Sequence, residues 1–184
     1  MSATQQPRRG ARFGGVRIGF SAASMRSEWL LLLTVAATVV ADQISKLVIK
    51  GTLALGESWP AEGVFRISHG TNSGAVWGLF PGRTGILTIA SIVAIAFIIY
   101  YYRTQAVRNQ PTRFTVGLLL GGAIGNLIDR LRMGEVVDFI DVGWWPAFNL
   151  ADSSIVVGMT LLIATLLLTG EPKSRIDQRS EAAD

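Results

Sequence analysis

The sequence predicts an all-α integral membrane protein with four transmembrane helices, both termini cytoplasmic, and a small extracytoplasmic β element between the first and second spans. Three observations predict it. Hydrophobic residues make up 49% of the 184 residues and charged residues only 16%, against about 25% charged in an average soluble domain. The charges are missing from four long stretches and crowded between them. Lys and Arg are also unevenly shared among the segments that join those stretches.

A bilayer core takes about 20 apolar residues of helix. The first such run is about 29–49, with Leu30 to Ala41 free of charge, and the second about 84–102. The third is about 114–131 and the fourth about 151–169. Gly117, Gly121, Gly122 and Gly125 weaken a helix in water, but in lipid small residues let helices approach closely. Glu171-Pro172 stops the fourth span. Residues 1–27 read as a disordered basic tail, 28–170 as the four-span domain and 171–184 as a polar tail. Val39-Val40-Ala41 resembles a signal-peptide cleavage site. The apolar pattern resumes at Leu47-Val48-Ile49, however, and three more spans follow.

Orientation follows from the basic residues. Arg8, Arg9, Arg12, Arg17, Arg26, Arg103, Arg108, Arg113, Lys173, Arg175 and Arg179 put eleven of the 17 on one side. The positive-inside rule makes that side cytoplasmic. Tyr100-Tyr101-Tyr102 then reads as an inner interfacial anchor and Trp144-Trp145 as an outer one. Between Gly51 and Arg83, residues 64–68 read as a strand and Gly70 to Gly74 as a turn.

Composition excludes several functions. With no cysteine there is no thiolate nucleophile, thiolate metal site or disulfide framework. His69 is the only histidine, so zinc chemistry lacks ligands and a Ser-His-Asp triad has one possible centre. The net charge of +4 is dispersed beside apolar runs, without the aromatic interleaving of a nucleic-acid surface. Carboxylates remain the strongest candidates for acid–base work.

Eight of the 13 acids fall at one set of span ends: Asp42, Glu57, Glu62, Asp129, Glu135, Asp138, Asp141 and Asp152. Ionisable groups near hydrocarbon mark function by default. Asp42 and Lys46 share a helix face at i, i+4, as a neutralising pair or as a prop for a site. Asn126, Asp129 and Arg130 share another, as packing glue or site support. Arg130 is placed to hold a carboxylate ionised, which makes Asp129 a supporting residue. Asp138 lies among apolar neighbours, where desolvation favours proton transfer. Asp152 opens the fourth span, where a helix N-terminus welcomes an acid. Capping alone does not explain its pairing with Asn149.

Five strings then carry a resemblance. They are Asp42-Gln43-Ile44-Ser45-Lys46, Asn72-Ser73-Gly74-Ala75, the run from Gly121 to Arg130, the run from Gly134 to Asp141, and Phe148-Asn149-Leu150-Ala151-Asp152-Ser153. In this order they resemble the motifs of lipoprotein signal peptidase, the type II signal peptidase. Val76-Trp77 departs from that pattern, where something closer to Ala-Phe is expected.

The resemblance implies a membrane aspartic peptidase with an extracytoplasmic β-cradle and Asp138 and Asp152 as its catalytic dyad. It implies that Asp42, Lys46, Asn72, Gly74, Asn126, Asp129, Arg130 and Asn149 support the site or the substrate. It further implies cleavage of prolipoproteins just before a diacylglyceryl-modified cysteine, at the outer face of the bacterial inner membrane. No metal or other cofactor is expected. The partners expected are the substrate and membrane lipids, with the enzyme a monomer. The competing reading is a small transporter or ion relay built on the buried charges. Against it, the polar groups gather at one face and no inverted repeat is evident.

Overall fold

The computed structural model describes residues 28–73, 84–104 and 109–169. Both tails and Gly74 therefore lie outside the described residues. Four helices form: α1 (Trp29–Thr52), α2 (Thr84–Thr104), α3 (Gln110–Met133) and α4 (Leu150–Thr169). All four are long and apolar enough to cross a membrane. Their outward surface is apolar, with Val93, Phe97 and Leu167 at 61%, 65% and 77% exposure. Water would penalise such a surface, whereas lipid accepts it. This is a multi-span membrane protein.

The third helix is longer than expected because its N-terminus is capped by local chemistry. Asn109 accepts the Thr112 amide at 2.9 Å and Pro111 sits in the first turn, so the helix starts at Gln110 instead of 114. Arg113 thus lies within the helix. It pairs at 3.6 Å with Glu28, which also accepts a hydrogen bond from the Tyr102 hydroxyl. Tyr100 is exposed, but Tyr102 is buried, so the three tyrosines do not act together as a surface anchor.

α3 is the central helix, packed against α1, α2 and α4. Two faces of small residues make that possible. A Cβ on Gly117 or Gly121 would lie 2.6 Å from the Cβ of Thr34 or Thr38 respectively. Both threonines belong to the buried stripe Thr34, Thr38, Asp42, Lys46 and Ile49, one face of α1. On the other side, a Cβ on Gly122 would collide with the Ala151 carbonyl oxygen and lie 2.8 Å from Ile155. The apolar contact cluster Tyr102, Val116 and Leu120 lies farther along, joined by Leu31, Val35, Ile95 and Ile98.

A three-stranded antiparallel sheet, in the order β1 (Ser58–Trp59), β2 (Arg66–Asn72), β3 (Val136–Asp141), sits at the end of the bundle where α1 and α3 finish and α4 begins. The strand expected at 64–68 starts only at Arg66 and runs on through Gly70, which was expected to turn. Gly70 instead faces Asp138 across the ladder, and a Cβ there would come within 3.3 Å of the Asp138 carbonyl oxygen. β3 was not expected. Its Val136-Val137 and Phe139-Ile140 pairs suit a strand, and β2 supplies the partner. The chain then returns, with Phe148 bridged to Ile140 before α4 starts.

Gly122→Val is expected to cost about 1–3 kcal/mol of stability or more, because the overpacked contact is backbone. Thermal unfolding in detergent should show a lower midpoint, while Gly85→Ala, which meets nothing within 4 Å, should show none. An unchanged midpoint for Gly122→Val would mean the α3–α4 contact yields freely.

Candidate active site

Lys46 sits at the centre of the polar end of the bundle. Its Nζ donates to Asp42 Oδ2 at 2.8 Å and to Asn126 Oδ1 at 3.1 Å, and pairs with Asp129 Oδ2 at 2.7 Å. Lys46, Asp42 and Asp129 are 3%, 0% and 2% exposed. A buried charge is tolerable only when matched in this way. The partner of Asp129 is therefore Lys46. Arg130 turns aside, donating to Ser91 Oγ at 3.3 Å and to the Asn126 carbonyl at 3.4 Å.

Asp42 has a second task. Its Oδ1 accepts the Ala151 amide at 3.0 Å, which places a carboxylate at the positive end of α4. The close approach needs Gly125, where a Cβ would stand 2.6 Å from Asp42 Oδ2. The i, i+4 pair on α1 therefore neutralises itself and also fastens the start of α4.

Asp152 stands in the first turn of α4. Asn149 Oδ1 accepts the Asp152 amide at 2.9 Å, and Asp152 Oδ2 lies 3.4 Å from the Asn149 amide, a reciprocal capping arrangement. Capping leaves Oδ1 of Asp152 free for another donor, and Asn126 Nδ2 fills that place at 2.7 Å. The two readings of this acid, cap and site, hold together.

Asp138 comes from β3, half-way along its ladder with β2. Asn149 Nδ2 donates to its Oδ1 at 2.7 Å and Asn72 Nδ2 to its Oδ2 at 3.2 Å. Burial first, then the charge of Asp152, push the Asp138 carboxyl up to about 6. The Asn72 and Asn149 donors and the charge on Lys46 pull the other way and are outweighed.

Asn149, fully buried, thus links the two acids: its amide nitrogen holds Asp138 and its amide oxygen holds the Asp152 backbone. Both acids face one cavity of about 600 Å3. Asn72 lines it too, with Trp145, Pro146, Ala147 and Phe148 along the approach to α4, and Ser153, Ile155, Val156 and Val157 on α4 itself. The cavity is therefore acidic at one end and mostly apolar elsewhere. Such a site can activate water beside a carbonyl while seating an apolar chain.

Nine of the ten residues singled out in the sequence can be followed here, and eight join one hydrogen-bonded cluster. They are Asp42, Lys46, Asn72, Asn126, Asp129, Asp138, Asn149 and Asp152. Arg130 borders it through the Asn126 carbonyl, and the charges of Asp152, Asp138 and Asp129 act on its guanidinium. Gly74 lies outside the described residues. Gln43 was missed as a site residue, although it lies between Asp42 and Lys46 in the motif. Its Nε2 reaches Asp129 Oδ1 at 2.9 Å. His69 is occupied elsewhere, its Nδ1 2.9 Å from the Leu53 carbonyl that ends α1.

Comparison with known proteins places the chain in a family. The profile of the family described as Signal peptidase (SPase) II matches residues 34–168. A lipoprotein signal peptidase of Halothermothrix orenii is 41% identical over 139 residues, covering 74% of this chain and 94% of that one. One from Desulfitobacterium hafniense is 43% identical over 141 residues, covering 76% and 93%. A bacterial membrane enzyme solved by the in meso method at 2.3 Å superimposes with a TM-score of 0.71 at 35% identity, covering 78% of this chain and 92% of its own. With the profile spanning most of the chain and relatives above 40% identity aligned over nearly their whole length, the chain belongs to the signal peptidase II family.

Proposed function

We propose that Asp138 and Asp152 are the catalytic pair with which this peptidase removes the signal peptide of a prolipoprotein, cutting just before its diacylglyceryl-modified cysteine. One observation carries the reading: a buried carboxyl, Asp138, and a half-buried one, Asp152, come from separate elements, wall the same cavity and are tied together by one asparagine. Two such acids do not readily ionise together, so the pair holds one proton between them. Its apparent pKa values then belong to the pair.

In the reaction, the ionised member takes a proton from a water as that water attacks the scissile carbonyl carbon. The other member gives its proton to the carbonyl oxygen. The tetrahedral intermediate then collapses, the C–N bond breaks, and the pair returns a proton to the amine of the departing lipidated cysteine. Asn72, Asn126 and Asn149 act as fixed donors that hold each carboxyl at one angle, so little reorganisation accompanies the chemistry. The apolar wall of Ile155, Val156 and Val157 suits the lipid-bearing or signal-peptide side of the substrate.

The reading includes a topology. Both termini are cytoplasmic and the sheet and paired acids extracytoplasmic, supported by the concentration of arginines and lysines in the tails and in the segment joining α2 to α3. The membrane is the bacterial inner membrane, and the working unit is a monomer. A site at the outer surface keeps acyl chains in the bilayer while water reaches the peptide.

Asp138→Asn and Asp152→Asn should each lower kcat roughly a thousandfold or more while the protein still inserts and purifies. The measurement is the mass shift of a diacylglyceryl-modified prolipoprotein incubated with pure enzyme. Near-native turnover by either variant sinks the assignment.

A pH-dependent stability difference follows from Asp138. Its folded pKa, about 6, lies above the unfolded value of about 3.9. The folded state therefore holds the proton more tightly between those values, and loses stability relative to the unfolded chain as pH rises through them. Asp138→Asn lacks that proton. Its melting temperature relative to the native protein should rise from about pH 4 to about pH 6 and level off above. A difference independent of pH would contradict the buried acid.

A further inference from the structure

Gln43 lies half-buried on α1 and does not line the cavity. Its Nε2 is 2.9 Å from Asp129 Oδ1, 3.2 Å from Asp42 Oδ2 and 3.3 Å from the Gly125 carbonyl oxygen. All three neighbours are acceptors, so only the nitrogen end of the amide can face them.

Arg130 borders the cluster beneath the paired acids but directs its hydrogen bonds to Ser91 and the Asn126 carbonyl. Asp42 and Asp129 share one ammonium, Lys46, in an interior shielded from water. Asp42 has a second source of compensation in the Ala151 amide. Asp129 Oδ1 has Gln43 alone among the described residues. Without that donor, Asp129 competes harder for Lys46, and the contact easiest to give up is the longest of the three, to Asn126 Oδ1 at 3.1 Å.

That contact sets the direction of an amide. Asn126 Oδ1 accepts from Lys46 and from Asn149 Nδ2 at 3.2 Å, which forces its nitrogen toward Asp152 Oδ1. A displaced Lys46 removes one of the two reasons for that orientation.

We propose that Gln43 is a positioning residue of the peptidase reaction, holding Asp129 so that Lys46 stays in place to orient Asn126 against Asp152. This rests on Asp152 being one of the catalytic acids. Gln43 touches neither substrate nor reacting atoms.

The test uses full-length enzyme and a diacylglyceryl-modified prolipoprotein. Gln43→Leu keeps the bulk and loses the donor, and should lower kcat about tenfold with KM within about twofold, since the cavity wall is untouched. Gln43→Glu supplies a donor only as a neutral acid. The charged groups facing it are Asp42 and Lys46 on α1 and Asp129 on α3, with Arg130 on α3 acting on Asp129 from farther off. α4 reaches it only through Asp42 and Asn126, and the sheet gives it no charged partner among the described residues. Ionised, the new carboxylate repels both acids, so the ratio of Gln43→Glu to native kcat should fall as pH rises.

Native kcat in Gln43→Leu, or a ratio that ignores pH, overturns the proposal. If Gln43→Leu fails to fold, the pH ratio decides. Native enzyme that leaves the lipidated substrate uncut overturns the catalytic reading and this one with it. Native activity beside an indifferent Gln43→Leu overturns this one alone.

Discussion

One ammonium group, Lys46 Nζ, organises the polar half of this protein. Its three contacts reach Asp42 on its own helix and Asp129 and Asn126 on α3. Through Asp42 it reaches the first turn of α4, and through Asn126 it reaches Asp152. Buried this deeply, Asp42, Lys46 and Asp129 have little access to water that could replace a lost partner, so the set depends on all its members. The acids of the cavity inherit their geometry from a charge that does not line it.

The helices divide the work that makes such a cluster possible. Glycines on α3 bring α1 close enough on one side for Asp42 and Lys46 to reach across, and bring α4 close on the other. Without those approaches, side chains as short as Asp42 could not bridge two helix axes. α2 contributes little to this interior. Among its residues only Tyr102 is buried, and it is tied to the rest of the bundle at places including Thr84, Ser91 and Tyr102.

The four spans were legible because lipid imposes a simple rule of length and apolarity, and the helices start or stop within a few residues of the expected places. The polar residues were legible for the same reason, since Asp42, Lys46 and Asp129 have no business in apolar sequence unless paired. Partner choice was not legible. Arg130 adjoins Asp129 in sequence, yet Lys46 on another helix takes it, because side-chain direction around α3 and not adjacency decides. β3 escaped notice for a related reason: six residues with a central acid look like a loop until β2 is available to pair with them. Gly70 illustrates it too, a turn residue in isolation but a spacer in the ladder opposite Asp138. Tyr102 looked like one of three interfacial rings, and only the fold brings Glu28 within its reach.

Val156 and Val157 line the cavity and are also 64% and 49% exposed on the flank of α4. The site thus opens on the apolar flank of the bundle, and on the proposed reading a lipid-borne substrate would arrive there by lateral diffusion. For such an enzyme the effective dose is the mole fraction of substrate in the membrane or micelle. Adding inert detergent at constant bulk substrate therefore dilutes the reaction, and an affinity quoted per litre of solution describes the container as much as the protein.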